Sequence, residues 1–175
     1  MSVVYTIGYE GTDIDCFVAT LRTVGVTLLA DVRAVAVSRK KGFSKNGLRE
    51  RLEAEGITYA HLVELGDPKT GRDAARAGKC GEFRRIYSAH LKTTNAVSAL
   101  KGLDEMARQD AVCLLCFERD PATCHRRLIA DRLKARGIEV FDLYGDGPNH
   151  YVRHAKKVPR RHHHQGDAES QPETW

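Results

Sequence analysis

The chain has 175 residues, 42% of them apolar and 29% charged, with a formal net charge of +5. This describes one ordinary globular domain with a sizeable core, and no apolar run approaches the ~18 residues of a membrane helix. The start of the chain lacks the basic region and long apolar stretch of a signal peptide, and five cysteines form an odd set. The expected location is therefore the cytoplasm, with thiols that are buried, catalytic or metal-binding and not paired.

Val3-Val4-Tyr5-Thr6-Ile7, stopped by Gly8, reads as a buried first strand. Ile14, Phe17, Val18 and Leu21 recur at i, i+3, i+4, i+7, the spacing of an amphipathic helix that starts near Thr12 or Asp13 and ends at Gly25. Residues 26–32 are the second strand, so strand, helix and strand predict a right-handed parallel unit. A basic loop over 33–45 carries Arg39, Lys40, Lys41 and Lys45; Ser44 then caps a helix holding Leu48 and Leu52, and 57–62 form a third strand. The Gly- and charge-rich stretch 66–81 is expected to be a long surface loop suited to a lid.

Phe83, Ile86, Tyr87, His90 and Leu91 mark another helix, with His90 expected as a satisfied core residue. Thr94 or Asn95 caps the next, which turns Val97, Leu100, Leu103 and Ala107 inward. Residues 111–115 read as a fully buried strand. Asp120 as cap and Pro121 as first helical residue then open a helix that places Cys124 in its first turn and buries Leu128, Ile129 and Leu133. Residues 139–144 are the last strand. The domain is expected over 1–150. Residues 151–175, basic and then polar, form a tail too poor in apolar residues to order itself beyond about 159, where His162, His163 and His164 read as solvated.

The fold expected from this order is α/β, a mostly parallel sheet flanked by helices on both faces, as in a Rossmann-like three-layer sandwich. Ligands of such sheets bind outside the carboxyl ends of the strands. The segments just past those ends, 8–11, 33–39, 61–66 and 116–118, are also the most chemically loaded loops of the chain.

Tyr5-Thr6-Ile7-Gly8-Tyr9-Glu10-Gly11, Asp31-Val32-Arg33, Ser38-Arg39, Gly42-Phe43-Ser44, His61-Leu62 with Leu65-Gly66, and Cys116-Phe117-Glu118 through Cys124-His125-Arg126 together resemble the family catalogued as domain of unknown function 488. These motifs span roughly residues 3–136. The resemblance implies a compact bacterial or archaeal α/β domain and implies no particular activity. The family pattern usually places a proline between the Asp-Val-Arg and Ser-Arg pairs, where this chain has Ala36.

Cys116, Glu118, Cys124, His125 and Arg126 fall within eleven residues, so nucleophile, acid, metal ligand and anion binder are all at hand. A strand-end thiol at Cys116 can point into a cleft, and a helix N-terminus stabilises a thiolate at Cys124. Three readings are open: cysteine chemistry with His125 or Glu118 moving the proton; a metal held by Cys116, Cys124 and His125; and inert packing. Against the metal stand the absence of paired C-x2-C knuckles and the ~100° by which neighbours diverge on a helix. Cysteine phosphatase and sulfurtransferase loops are discounted, because no glycine-rich turn follows Cys116 and its sixth successor is Ala122. Gly8-Tyr9-Glu10-Gly11 is only a fragment of a dinucleotide fingerprint.

Glu10, Asp31 and Glu118 are candidate acids, with Glu10 and Glu118 taken as catalytic. Arg33, Ser38, Arg39 and Arg126 are candidate anion binders, Tyr9 a base-stacking residue and His61 a further site member. The function expected is an enzyme, a cysteine- or carboxylate-based hydrolase or transferase, acting on a phosphorylated substrate such as a nucleotide or nucleic acid. The alternative is a non-catalytic nucleic-acid-binding or metal-binding module engaging polyanions through the 39–45 loop and the tail. No cofactor is required by the sequence, and the oligomeric state is open.

Overall fold

The computed structural model describes residues 2–145 and 147. The expected tail and its histidines lie outside the described residues. Five strands, β1 (Val3–Gly8), β2 (Leu28–Asp31), β3 (Thr58–His61), β4 (Val112–Cys116) and β5 (Glu139–Tyr144), form one parallel sheet in the order β3-β2-β4-β1-β5. Alternation of side chains across a pleated strand explains the layers. Tyr5, Ile7, Leu29, Cys113 and Leu115 join a core with Phe17, Val18 and Leu21 of α1 (Ile14–Val24) and Leu48 and Leu52 of α2 (Lys45–Glu53). Val4, Ala30, Val112 and Leu114 join a second core with residues of α3 (Lys69–Arg76), α4 (Cys80–His90), α5 (Thr94–Gln109) and α6 (Arg126–Lys134). The result is the expected single α/β domain with helices on both faces.

Register decides where the chemistry sits. Gly8 pairs with Cys116, and Asp31 pairs with Leu115, so β1, β2 and β4 finish nearly level. As the central strand, β4 delivers Cys116 to the middle of the carboxyl edge.

Several local expectations need correction. Stretch 66–81 is not a long loop; it contains α3 and the first two residues of α4. The buried residues of α3 are Gly71 and Ala74, too small to leave an apolar stripe in the sequence. In α5, Ala96 faces inward and Val97 is exposed, and the cap is Thr93, one residue before the expected start. His90 is half-buried, not in the core, and its Nε2 donates to the Glu64 carbonyl at 2.8 Å. Cys124 is not helical. Asp120 accepts from the Ala122 N–H and, with Pro121, starts a single 3-10 turn, Pro121–Thr123; Cys124 is then extended (φ −117, ψ 148), and α6 begins only after His125.

Candidate functional site

β4 and the short connection into α6 build the centre. The extended Cys124 breaks the helix, so the ~100° divergence expected of helical neighbours does not apply, and both its thiol and the His125 ring reach Cys116. The His125 Nδ1 lies 3.6 Å from the Cys116 sulfur and 3.7 Å from that of Cys124. The His125 Nε2 donates to the Val32 carbonyl at 2.8 Å. A carbonyl only accepts, so this bond fixes the tautomer and turns Nδ1 toward the sulfurs. The ring is further held edge-on to Tyr87, 5.2 Å between centroids. On the other side of Cys116, the Glu118 Oε2 lies 2.7 Å from the sulfur.

Charge is shared within this group. Burial works against ionising Cys116, but a hydrogen bond from the Cys124 thiol, the charge and hydrogen bond of His125 and a hydrogen bond from Glu118 together hold its thiol well below the usual range. Cys124 goes the other way: burial and the neighbouring Cys116 push it well above. Glu118 is pushed up to about 7 by burial and by the charge of Cys116. His125, which burial alone would lower, is raised to about 9 by Cys116 and its bond to Val32. Near pH 7 the arrangement is a thiolate–imidazolium pair beside a carboxyl group poised between its two forms, with Cys124 a neutral thiol.

Cys116, Glu118 and His125 line a cleft of about 690 Å³. One wall is apolar: Val35, Val37 and Phe117, large side chains left exposed, with Tyr9 stacked on Phe43 at 4.5 Å behind them. α3 adds Lys69, Arg72 and Arg76 to the lining. At the base of α3 sits Asp67, which the sequence reading missed inside its presumed loop. In hindsight the signal is Gly66-Asp67-Pro68 with Gly71, a turn into a helix with a bare backbone beside the acid.

Of the expected anion binders, Arg33 lines the cleft but is already occupied. Its Nε and Nη2 bond the two Asp31 oxygens at 2.9 and 2.6 Å, and Nη1 donates to the Phe43 carbonyl and the Tyr9 hydroxyl. Tyr59 adds a 2.6 Å bond to Asp31, which is wholly buried. Arg126 is fully buried behind the cleft: Nε donates to Thr6, and Nη1 and Nη2 donate to the Glu118 and Arg119 carbonyls. Ser38 and Ser44 close the basic loop on each other at 3.0 Å, and neither Ser38 nor Arg39 lines the cleft. His61 donates to the Arg33 carbonyl, and Glu10 accepts the Arg119 N–H at 2.9 Å; both stand outside the cleft lining. The structure thus brings together Cys116, Glu118, Cys124, His125, Tyr9 and Arg33. Glu10, Ser38, Arg39, His61 and Arg126 stand outside the cleft lining.

Fold and site define an α/β protein with a cysteine–histidine cluster at the carboxyl edge of a parallel sheet. The sulfurs of Cys116 and Cys124 and a ring nitrogen of His125 lie within 4.8 Å of one another, a cluster that could coordinate a metal ion or act catalytically. The chain belongs to the family described as Domain of unknown function DUF488, whose model matches residues 13–133. Comparison with curated proteins and with solved structures returns no match. No helix among the described residues is long and apolar enough to cross a membrane.

Proposed function

We propose that this protein is a cysteine-dependent transferase or hydrolase acting on a phosphorylated substrate, a nucleotide or nucleic acid, with Cys116 as nucleophile. The observation that carries this is the position of the Cys116 sulfur, at the floor of the cleft between the His125 Nδ1 and the Glu118 carboxyl. Nucleophilic catalysis needs a thiolate, a group to stabilise it and a proton source for the leaving group. His125, oriented by Val32, supplies the stabilising charge. Glu118 supplies the proton. The Cys116 sulfur attacks the electrophilic atom, the bond to the leaving group breaks, and the leaving group takes the Glu118 proton. Water then cleaves the bond between the sulfur and that atom: its oxygen goes to the atom, one proton to Glu118, and the Cys116 thiolate is released. The apolar side chains in the lining suit a base and the cations of α3 a phosphate.

Peptide-mapped alkylation by iodoacetamide tests the reading. Cys116 is expected to react far faster at pH 6.5 than a free thiol, and AMP is expected to slow it. A Cys116 that reacts only near pH 8.5, with oligonucleotide binding untouched by C116S, would favour the binding module. Stoichiometric metal that must be chelated before Cys116 reacts would favour the metal centre.

A further inference from the structure

Asp67 is 6% exposed, and its Oδ1 is a buried side-chain oxygen with no hydrogen-bond partner among the described residues. Such atoms are rare, because leaving a buried acceptor unsatisfied costs free energy. Asp67 is not used to cap α3, whose N-terminus has no side-chain bond. Its neighbours do not quench it either: Arg72 donates to the backbone carbonyl of Asp67, not to its carboxyl. The sequence makes room for the acid in this position. A Cβ on Gly71 would overlap Oδ1, so only glycine lets the carboxyl rest on the first turn of α3. Asp67 lines the same cleft as Cys116, Lys69 and Arg72.

We propose that Asp67 is the group with which the cleft recognises a hydrogen-bond donor on its substrate, a sugar hydroxyl or an amine lying close to the anion that Lys69 and Arg72 hold. This deepens the proposed function and rests on it. Oδ1 rests against Gly71, and turning the carboxyl about its last bond brings either oxygen toward the cleft, so a donor there can be met without moving the backbone. The donor gains a charge-assisted bond to a buried acid, so the contact discriminates strongly against ligands that lack the donor. Burial pushes Asp67 up to about 6, His125 and Arg72 working against it, so at pH 7.5 it is an acceptor.

The test is calorimetric titration at pH 7.5 of the full chain and of D67N with three probes: AMP, 2′-deoxyadenosine 5′-monophosphate, and purine riboside 5′-monophosphate, which lacks the amine. AMP is expected to bind D67N at least tenfold more weakly than the unmodified chain. One of the other two probes is expected to show the same weakness on the unmodified chain and no further loss on D67N; it identifies the donor as hydroxyl or amine. G71A, which displaces the carboxyl without removing it, is expected to weaken AMP in the same way. Equal affinity of AMP for the unmodified chain and D67N, or no binding of AMP by the unmodified chain, overturns the inference. Iodoacetamide reactivity of Cys116 in the same samples separates the two claims: a reactive Cys116 with either of those results leaves the cysteine enzyme standing without this specificity.

Discussion

Cys116 is unusual for a nearly buried thiol because its neighbours outweigh its burial. After the Cys124 thiol, His125 contributes both a charge and a hydrogen bond, since the Val32 carbonyl turns its Nδ1 toward the sulfur. H125N is expected to raise the pH at which Cys116 alkylates by at least one unit, read from the rate profile between pH 5 and 10. Asp67 makes a separate point about stability. Its unfolded value of 3.8 rises to about 6 in the folded chain, so the folded state binds the proton more tightly and stability falls as pH rises from below 3.8 through 6. The full cost is present above pH 6. D67N is therefore expected to be more stable than the unmodified chain by about 1–3 kcal/mol in urea unfolding at pH 7.5, and no more stable at pH 3.5. Cys116, Glu118 and His125 were legible in the sequence because a strand end and a helix start frame them. Asp67 was not, because one acid in a charged stretch differs from its neighbours only in the backbone it rests on.

At the scale of elements, the segment 117–120 is what keeps Glu118 beside Cys116, and two distant residues hold it. Gly8 lies so close that a Cβ there would overlap the Glu118 carbonyl, and Arg126 donates to the carbonyls of Glu118 and Arg119 from inside the protein. Substitution G8A is expected to cost at least about 2 kcal/mol in urea unfolding, since backbone and not a flexible side chain would have to move. R126M leaves two carbonyls without their donor and is expected to speed amide hydrogen exchange over 117–120. The sequence reading took Arg126 as an anion binder by its proximity to the cysteines. Side-chain direction, which spacing does not reveal, turns it into the core. The same limit hid α3. A helix whose buried side is Gly71 and Ala74 carries no large apolar residue; its period lies in the charges Lys69, Arg72, Asp73 and Arg76, which read as loop beside so many glycines. Cys124 shows the opposite error: Asp120-Pro121 is a true start signal, but it starts one 3-10 turn and not α6.

Across the whole molecule, the parallel sheet was readable because its strands are short apolar runs separated by amphipathic helices. Its order was not, since nothing local says that β4 inserts between β1 and β2. That insertion sets the Cys116 corner beside the ends of both strands. It also explains Arg33. The Asp31–Arg33 pair at the end of β2 is buried with Tyr59 and Tyr9 around it, and it fastens the 33–45 segment to the sheet through the Phe43 carbonyl. R33A would strand a buried carboxylate and is expected to lose about 3–5 kcal/mol of stability, measured by urea unfolding. With Arg33 so engaged, Lys69, Arg72 and Arg76 of α3 are further cations in the cleft lining, alongside the apolar Val35 and Val37.

The central claim is that Cys116 is a nucleophile held ionised by its surroundings, and the pH dependence of its alkylation tests it most directly. With the intact chain and peptide mapping, the Cys116 rate is expected to reach half its plateau well below pH 8.5, while Cys124 stays unreactive across the range. A half-plateau at or above pH 8.5 for Cys116, or equal labelling of the two thiols, would contradict the account.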